Sequence, residues 1–205
     1  MKKSAKLVFG IGIKGMDYET REGGKPSRVY TLWLNMLRRC TQKYWDKYPT
    51  YTGVSCSENF KSYTFFYEWC QEQVGFRNID GIGARSIYHL DKDLLIKGNK
   101  VYSEYTCCFV PSRINKLFVK RNAKRGKFPI GVHYDKIGGR IIAAQSNGCG
   151  GKTKYLGSFD TPQEAFLAYK TFKEALIKEV ANEYKEMLDS RVYEALMNYE
   201  VNEND

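Results

Sequence analysis

The chain has 205 residues, of which 42% are hydrophobic and 15% aromatic, and this composition excludes a fully disordered protein. No run of about 18 apolar residues occurs, so the sequence predicts no membrane span. The net charge of +10 is concentrated, because residues 112–155 contain eleven basic residues against Asp135 alone. Such a segment is typical of a protein with a polyanionic partner, since each neutralised phosphate releases a counterion; a solvated basic surface is the alternative.

The first strong pattern in chain order is a helix that begins at Ser27. Its predicted core positions recur at three- and four-residue spacing: Val29, Leu32, Trp33, Met36 and Cys40. Arg38 and Arg39 lie in its last turn, where cations suit the helix dipole and are available to a phosphate. Residues 41–53 are predicted to be a loop. Residues 59–73 are predicted to form a second helix with this buried stripe: Tyr63, Phe66, Trp69 and Cys70.

The six cysteines form no CxxC pair: Cys40, Cys56, Cys70, Cys107, Cys108 and Cys149. Ligands of structural zinc normally come in tight pairs, so the spacing favours buried reduced thiols over a zinc site. The apolar stretch near the start is broken by Gly10 and Gly12 and is not a signal peptide. A cytoplasmic protein is therefore predicted.

The middle of the chain contains the residues suited to hydrolytic chemistry. A strand is predicted for residues 85–90, followed by Asp91 and Asp93, and a short helix for residues 112–118 carries Asn115. In an extended chain both aspartates would project on the same side as His89, and their hard oxygens suit magnesium or manganese. Hydrolysis of a phosphodiester needs such a cation and a base for water.

Beyond Pro129 the pattern changes to short alternating strands. Thr161 and Glu164 then form a capping box, with Pro162 at the first helical position, which predicts a long helix. Residues 183–205 are acidic and are predicted to add more helix, with a frayed polar tail at residues 202–205.

Residues 129–178 resemble the AP2 domain. The resemblance rests on Gly131-Val132, Gly139-Arg140-Ile141, Ala143, Tyr155-Leu156-Gly157-Ser158-Phe159, Thr161, Glu164-Ala165 and Ala168-Tyr169. It implies a three-stranded antiparallel sheet backed by one helix, with the open sheet face in the DNA major groove. The DNA-facing positions that it implies are His133, Arg140, Ile142, Ala144, Ser146, Thr153 and Tyr155. The middle strand departs from the family's arginine-rich pattern, so phosphate contacts are expected to come from cations: Arg113, Lys116, Lys120, Arg121, Lys124, Arg125, Lys136, Lys152 and Lys154.

Residues 27–118 resemble phage HNH endonucleases. The matched features are Trp33-x-x-Met36-x-x-Arg39-Cys40, Val54-x-Cys56, Phe65-x-x-x-Trp69, His89-Leu90-Asp91-Lys92-Asp93, and Tyr102-Ser103 through Cys107-x-Phe109-Val110-Pro111 to Asn115. The resemblance implies a ββα-metal core with His89 as general base and a Mg²⁺ or Mn²⁺ ion held by Asp91, Asp93 and Asn115. Tyr88 stands where the family has a metal ligand, and Thr106 where it has an asparagine. A second register therefore stays open, with Asp91 as ligand and Lys92 at the base position.

The sequence thus predicts an α+β chain divided into an HNH-like module (1–118), a basic linker (119–128), an AP2-like module (129–182) and an acidic helix with tail (183–205). The first function predicted is a metal-dependent, homing-type endonuclease acting on double-stranded DNA. The alternative is a catalytically degenerate phage protein that binds DNA or a nucleic-acid-handling host defence protein. A third is a protein inhibitor whose acidic helix mimics nucleic acid. All three imply the cytoplasm (of the host, if phage-encoded), with no membrane and no small-molecule substrate.

Overall fold

The computed structural model describes residues 7–77, 88–119, 127–146 and 153–205, with only the backbone at residues 145 and 146. The chain is of the α+β class. It divides into two compact units, Met1–Val110 and Pro111–Asp205, so the helix after Pro111 belongs to the second unit. None of the helices within the described ranges is long and apolar enough to cross a membrane.

In its described residues, the first unit combines four helices with pairs of very short strands. The helices are α1 (Arg28–Arg39), α2 (Gln42–Lys47), α3 (Glu58–Lys61) and α4 (Tyr63–Glu72), with a 3₁₀ turn at Pro49–Tyr51. The strands are β1 (Arg21–Glu22), β2 (Lys25–Pro26), β3 (Ser55–Cys56), β4 (His89–Asp91), β5 (Val101–Tyr102) and β6 (Cys108–Val110). β1 pairs with β2 and β4 with β6 in antiparallel fashion, whereas β3 and β5 are parallel.

Helices α1 and α4 form the core of this unit. The Ser27 side chain caps α1 by accepting a hydrogen bond from the Tyr30 N–H. The structure buries these residues of the two predicted stripes and so confirms them: Val29, Trp33 and Met36 on α1, and Tyr63, Phe66, Trp69 and Cys70 on α4. Trp33 is fully buried, and its Nε1 donates to the Phe60 carbonyl at 2.9 Å.

Two predictions for this unit are wrong in detail. The segment 41–53 is not a loop throughout, because Thr41 caps the short helix α2. The predicted helix over 59–73 is interrupted at Ser62, whose extended backbone ends α3 while its side chain caps α4. Serine competes for backbone donors in this way and favours helix ends over helix interiors.

The second unit is a three-stranded sheet with helices. Its helices are α5 (Ser112–Leu117), α6 (Pro162–Glu183) and α7 (Ser190–Met197), with a 3₁₀ turn at Lys185–Met187. Its strands are β7 (Val132–Asp135), β8 (Arg140–Ser146) and β9 (Thr153–Phe159), antiparallel in the order β7-β8-β9.

Helix α6 packs on one face of this sheet. Its predicted first residue, Pro162, and the predicted capping box are both confirmed. The Thr161 side chain accepts from the Glu164 N–H, and the Glu164 carboxylate accepts from the Thr161 N–H at 3.1 Å. Gly131, at φ +77°, lets β7 approach Tyr169 of α6, because a Cβ there would lie 1.9 Å from the Tyr169 ring.

The C-terminal tail is fixed in place, so the prediction of a frayed end is wrong. The Glu203 carbonyl accepts from the Ile130 N–H at 3.0 Å, and the Val201 carbonyl accepts from Lys170 Nζ at 3.0 Å. Val201 is buried, as are Val192 and Leu196 of α7. Acidic composition alone does not produce fraying when the apolar positions of the segment have a core to enter.

Candidate active site and nucleic-acid interface

Strand β4 carries the predicted base, His89. In the antiparallel ladder His89 lies opposite Val110, and Asp91 lies opposite Cys108. Side chains alternate along a strand, so His89 and Asp91 occupy the same face, where His89 is exposed and Asp91 half-buried. The partner strand β6 is completely buried, which gives this face a rigid support.

Arg28 of α1 holds the residue that leads into β4. Its guanidinium donates to the carbonyls of Phe76 and Tyr88, with a distance of 3.0 Å to the latter, and lies over the Phe76 ring. These carbonyls flank residues 78–87, which lie outside the described part of the chain together with most of the predicted 85–90 strand. Helix α1 of the core therefore fixes the position at which the chain enters β4.

The chain turns immediately after Asp91. Asp91 Oδ1 accepts hydrogen bonds from the backbone N–H groups of Asp93 and Leu94, at 2.9 and 2.8 Å. Burial first and the neighbouring Asp93 carboxylate second raise the pKa of Asp91 to about 6, against the lowering effect of the two backbone donors. A carboxyl with a pKa near neutrality, in a polar turn, is a feature of functional sites.

Asp93 does not continue an extended chain, and the expectation that it projects beside His89 on a straight strand is wrong. The turn instead places the Asp93 carboxylate near that of Asp91, and Lys92 Nζ lies 3.1 Å from Asp93 Oδ2. The Lys92 amine also donates to the Asn99 carbonyl at 2.8 Å. Two carboxylates and one ammonium therefore meet at this turn.

Asn99 is the residue that sequence reasoning missed. Its side-chain amide donates to the carbonyls of Lys92 and Val101, at 2.6 and 2.8 Å, and its Oδ1 accepts from the Val101 N–H. It therefore closes the loop between the acidic turn and β5. A Gly98-Asn99 pair is typical of a turn, but the sequence does not show that the Asn99 amide bonds to Lys92, seven residues away along the chain.

Two further predicted residues have defined places. Thr106 Oγ1 donates to the Val101 carbonyl and lies 2.8 Å from Ser103 Oγ, so this threonine also braces the loop. Asn115 is half-buried on α5, in the second unit. Among the described residues, no group of three or more His, Cys, Asp or Glu side chains is arranged to hold a metal ion.

The open face of the β7-β8-β9 sheet presents several of the predicted DNA-facing residues. His133 lies opposite Ile142, which lies opposite Ser158. A bulge between Ala143 and Ala144 changes the alternation, and Tyr155 Oη then lies 2.6 Å from Ser158 Oγ on this same face. Arg140 lies opposite Asp135, so two side chains of opposite charge are neighbours on this face.

Two of the predicted phosphate-binding cations have protein partners. Lys154 Nζ lies 4.5 Å from the ring centroid of Phe172 on α6, so it occupies the helix side of the sheet and not the open face. Arg113 makes two hydrogen bonds to the Glu183 carboxylate. Lys116 and Lys136 are exposed, whereas the remaining predicted cations lie outside the described residues: Lys120, Arg121, Lys124, Arg125 and Lys152.

The two arginines at the end of α1 have different environments. Arg38 is exposed and lies over the Tyr44 ring, 5.5 Å from its centroid. Arg39 is half-buried, and its Nη1 donates to Tyr102 Oη at 3.1 Å. Arg38 is therefore the more accessible of the two to a phosphate.

No family model matches this sequence, and no curated protein or solved structure matches it either.

Proposed function

We propose that this protein binds double-stranded DNA and hydrolyses its phosphodiester backbone with a divalent cation, as a homing-type endonuclease of HNH-like and AP2-like modules. The observation that carries the proposal is the acidic turn beside an exposed histidine. Asp91 has a pKa raised to about 6 next to the Asp93 carboxylate, on the same strand as His89. A divalent cation suits such a pair, because it removes the repulsion between two carboxylates.

Each residue then has a defined task. His89 takes the proton from the attacking water, which requires its neutral form near pH 7. Asp91 and Asp93 bind Mg²⁺ or Mn²⁺, which when bound stabilises the charge on the leaving oxygen. The resemblance assigns Asn115 to the same cation, and this stays a prediction.

Duplex DNA binding is assigned to the second unit, which contains the basic segment 112–155. Exposed cations such as Lys116 and Lys136 neutralise phosphates, while His133, Arg140 and Tyr155 face the groove. Ile142 and Ala144 supply no hydrogen bond to a base edge, so affinity on this surface is expected to depend more on phosphates than on sequence.

The experiment is incubation of the full chain with supercoiled plasmid in Mg²⁺ or Mn²⁺, with EDTA as the metal control. His89→Ala is expected to lower the cleavage rate by at least about a hundredfold, the usual scale for a general base. DNA affinity should stay unchanged, because the phosphate contacts are assigned to the cations of the second unit and not to His89. Asn115→Ala should raise the cation concentration required. Tyr105→Ala, at a side chain that is 78% exposed, is the matched control and should cleave normally.

A second candidate is a DNA-binding protein that does not cleave. It is favoured by the bonds already made at the turn, since Asp91 Oδ1 holds two backbone N–H groups and Lys92 is close to Asp93. A wild-type protein that binds duplex DNA but is inert with both cations would establish this candidate. Cleavage at an unchanged rate in His89→Ala would instead point to the register with Asp91 and Lys92.

A further inference from the structure

We infer that α2 and the 3₁₀ turn after it form a contact surface for an unpaired DNA strand, separate from the duplex-binding sheet. This inference rests on the proposed DNA function and extends it to the first unit. The surface, here called the tyrosine platform, is defined by Arg38, Lys43, Tyr44, Lys47, Tyr48 and Tyr51.

Helix α2 is exceptional in this unit because none of its residues is buried. Side chains of α2 and of Tyr48, the residue that follows it, fall into three pairs at four-residue spacing, and the two members of such a pair lie on the same side. Lys43 and Lys47 form a cationic pair, and Tyr44 and Tyr48 form an aromatic pair with ring centroids 4.7 Å apart. The acidic side chain Asp46 accepts a hydrogen bond from Gln42 at 2.8 Å, on the third side.

Each tyrosine of the platform has a cation next to its ring. Arg38 lies 5.5 Å from the centroid of Tyr44, Lys47 lies 5.3 Å from that of Tyr48, and Arg39 lies 5.6 Å from that of Tyr51. The Tyr44 and Tyr51 rings make an edge contact at 5.2 Å, so the three rings form one cluster. Tyr48 is the most open of the three, with 41% of its surface exposed.

These features match the chemistry of a nucleic-acid strand with unpaired bases. Such a strand offers a phosphate and a π-face at every nucleotide, and proteins bind it with alternating cations and aromatic rings. A closed duplex offers phosphates and base edges but no free π-face, because its base faces are stacked on one another. An exposed ring with Lys47 beside it therefore favours an unpaired strand, either at an opened site or beside a nick.

The experiment measures the affinity of the full chain for a labelled oligothymidine and for a duplex of equal length by fluorescence anisotropy. Tyr48→Leu is expected to weaken binding of the single strand at least about fivefold, since base stacking is lost. Duplex affinity should change less than about twofold, because stacked base pairs present no free π-face. Tyr105→Leu, an equally conservative change at an exposed tyrosine of the same unit, should change neither.

The cationic half of the platform is tested by salt titration. The double variant Lys43→Gln and Lys47→Gln loses two phosphate contacts. The decrease of log affinity with log salt should therefore become less steep by about 1.4 for the single strand. Lys14→Gln with Lys25→Gln, two exposed lysines elsewhere in the unit, is the control and should leave the slope unchanged.

The outcomes separate this inference from the proposed function. Equal single-strand affinity in Tyr48→Leu and Tyr105→Leu would overturn the platform while leaving duplex binding and cleavage intact. An equal loss for single strand and duplex would also overturn it, because it would indicate a contact with phosphates only. A selective loss for the single strand, in a protein that cleaves no DNA, would support the platform and reject the endonuclease.

Discussion

Replacement of Asp91 by asparagine should stabilise the first unit at neutral pH. Asparagine retains the Oδ1 atom that accepts from the N–H groups of Asp93 and Leu94, but it carries no charge to desolvate. The pKa of Asp91 is raised from 3.8 to about 6. The contribution of the protonated Asp91 to the stability of the fold is therefore complete below pH 3.8 and is lost as the pH rises through 6. At about 1.4 kcal/mol per pKa unit, the ionised carboxylate costs as much as about 3 kcal/mol at pH 7.

The assay is thermal unfolding followed by tryptophan fluorescence, since all three tryptophans lie in the first unit: Trp33, Trp45 and Trp69. Asp91→Asn should melt about 10 °C above the wild type at pH 7, and the difference should almost vanish at pH 3.5. Carboxyl groups remote from this turn titrate equally in both proteins, so the difference isolates Asp91 together with the adjacent Asp93 that interacts with it. Equal melting temperatures at pH 7 would refute the reasoning, as would a variant that is less stable at every pH.

A divalent cation extends the same measurement to the candidate site. Millimolar Mn²⁺ should raise the melting temperature of the wild type at pH 7, because a ligand that binds only the folded state stabilises it. The Asp91→Asn variant should show little of this effect. A cation-induced shift of the same size in both proteins would place the binding elsewhere.

Three further predictions concern DNA binding and the second unit. Duplex affinity should fall about tenfold or more for a threefold rise in salt if three or more phosphates are contacted, and a flat response in a binding titration would contradict the electrostatic argument. A fragment of residues 111–205 should melt cooperatively by circular dichroism, whereas 128–190 should not, because it lacks Leu117, Val192, Leu196 and Val201 of the core. Burial lowers the pKa of Lys173 to about 8, so the stability of the 111–205 fragment should rise between about pH 8 and 10.5. Lys173→Met should flatten that rise, and an unchanged pH profile would show that Lys173 is not its source.

The sequence determined those parts of the fold that depend on residues close together in the chain. The stripes of α1 and α4 follow from helical periodicity, and the start of α6 follows from the Thr161–Glu164 capping box. The alternating pattern beyond Pro129 predicted short strands, and the resemblance to the AP2 domain implied that three of them form an antiparallel sheet with a helix on it. Local backbone geometry sets these patterns, so they are readable before any tertiary contact is known.

The tertiary structure decided where the candidate functional groups lie and how they are charged. The bulge at Ala143 and Ala144 places Tyr155 on the open face and Lys154 against Phe172, which one-dimensional alternation cannot show. The elevated pKa of Asp91 depends on burial and on the turn that follows it. Asn99, seven residues after Lys92, holds that turn through a hydrogen bond to the Lys92 carbonyl. Desolvation and hydrogen bonding depend on groups that folding brings together. Their combined effect on a pKa is therefore a property of the packed chain and cannot be read from the amino-acid sequence.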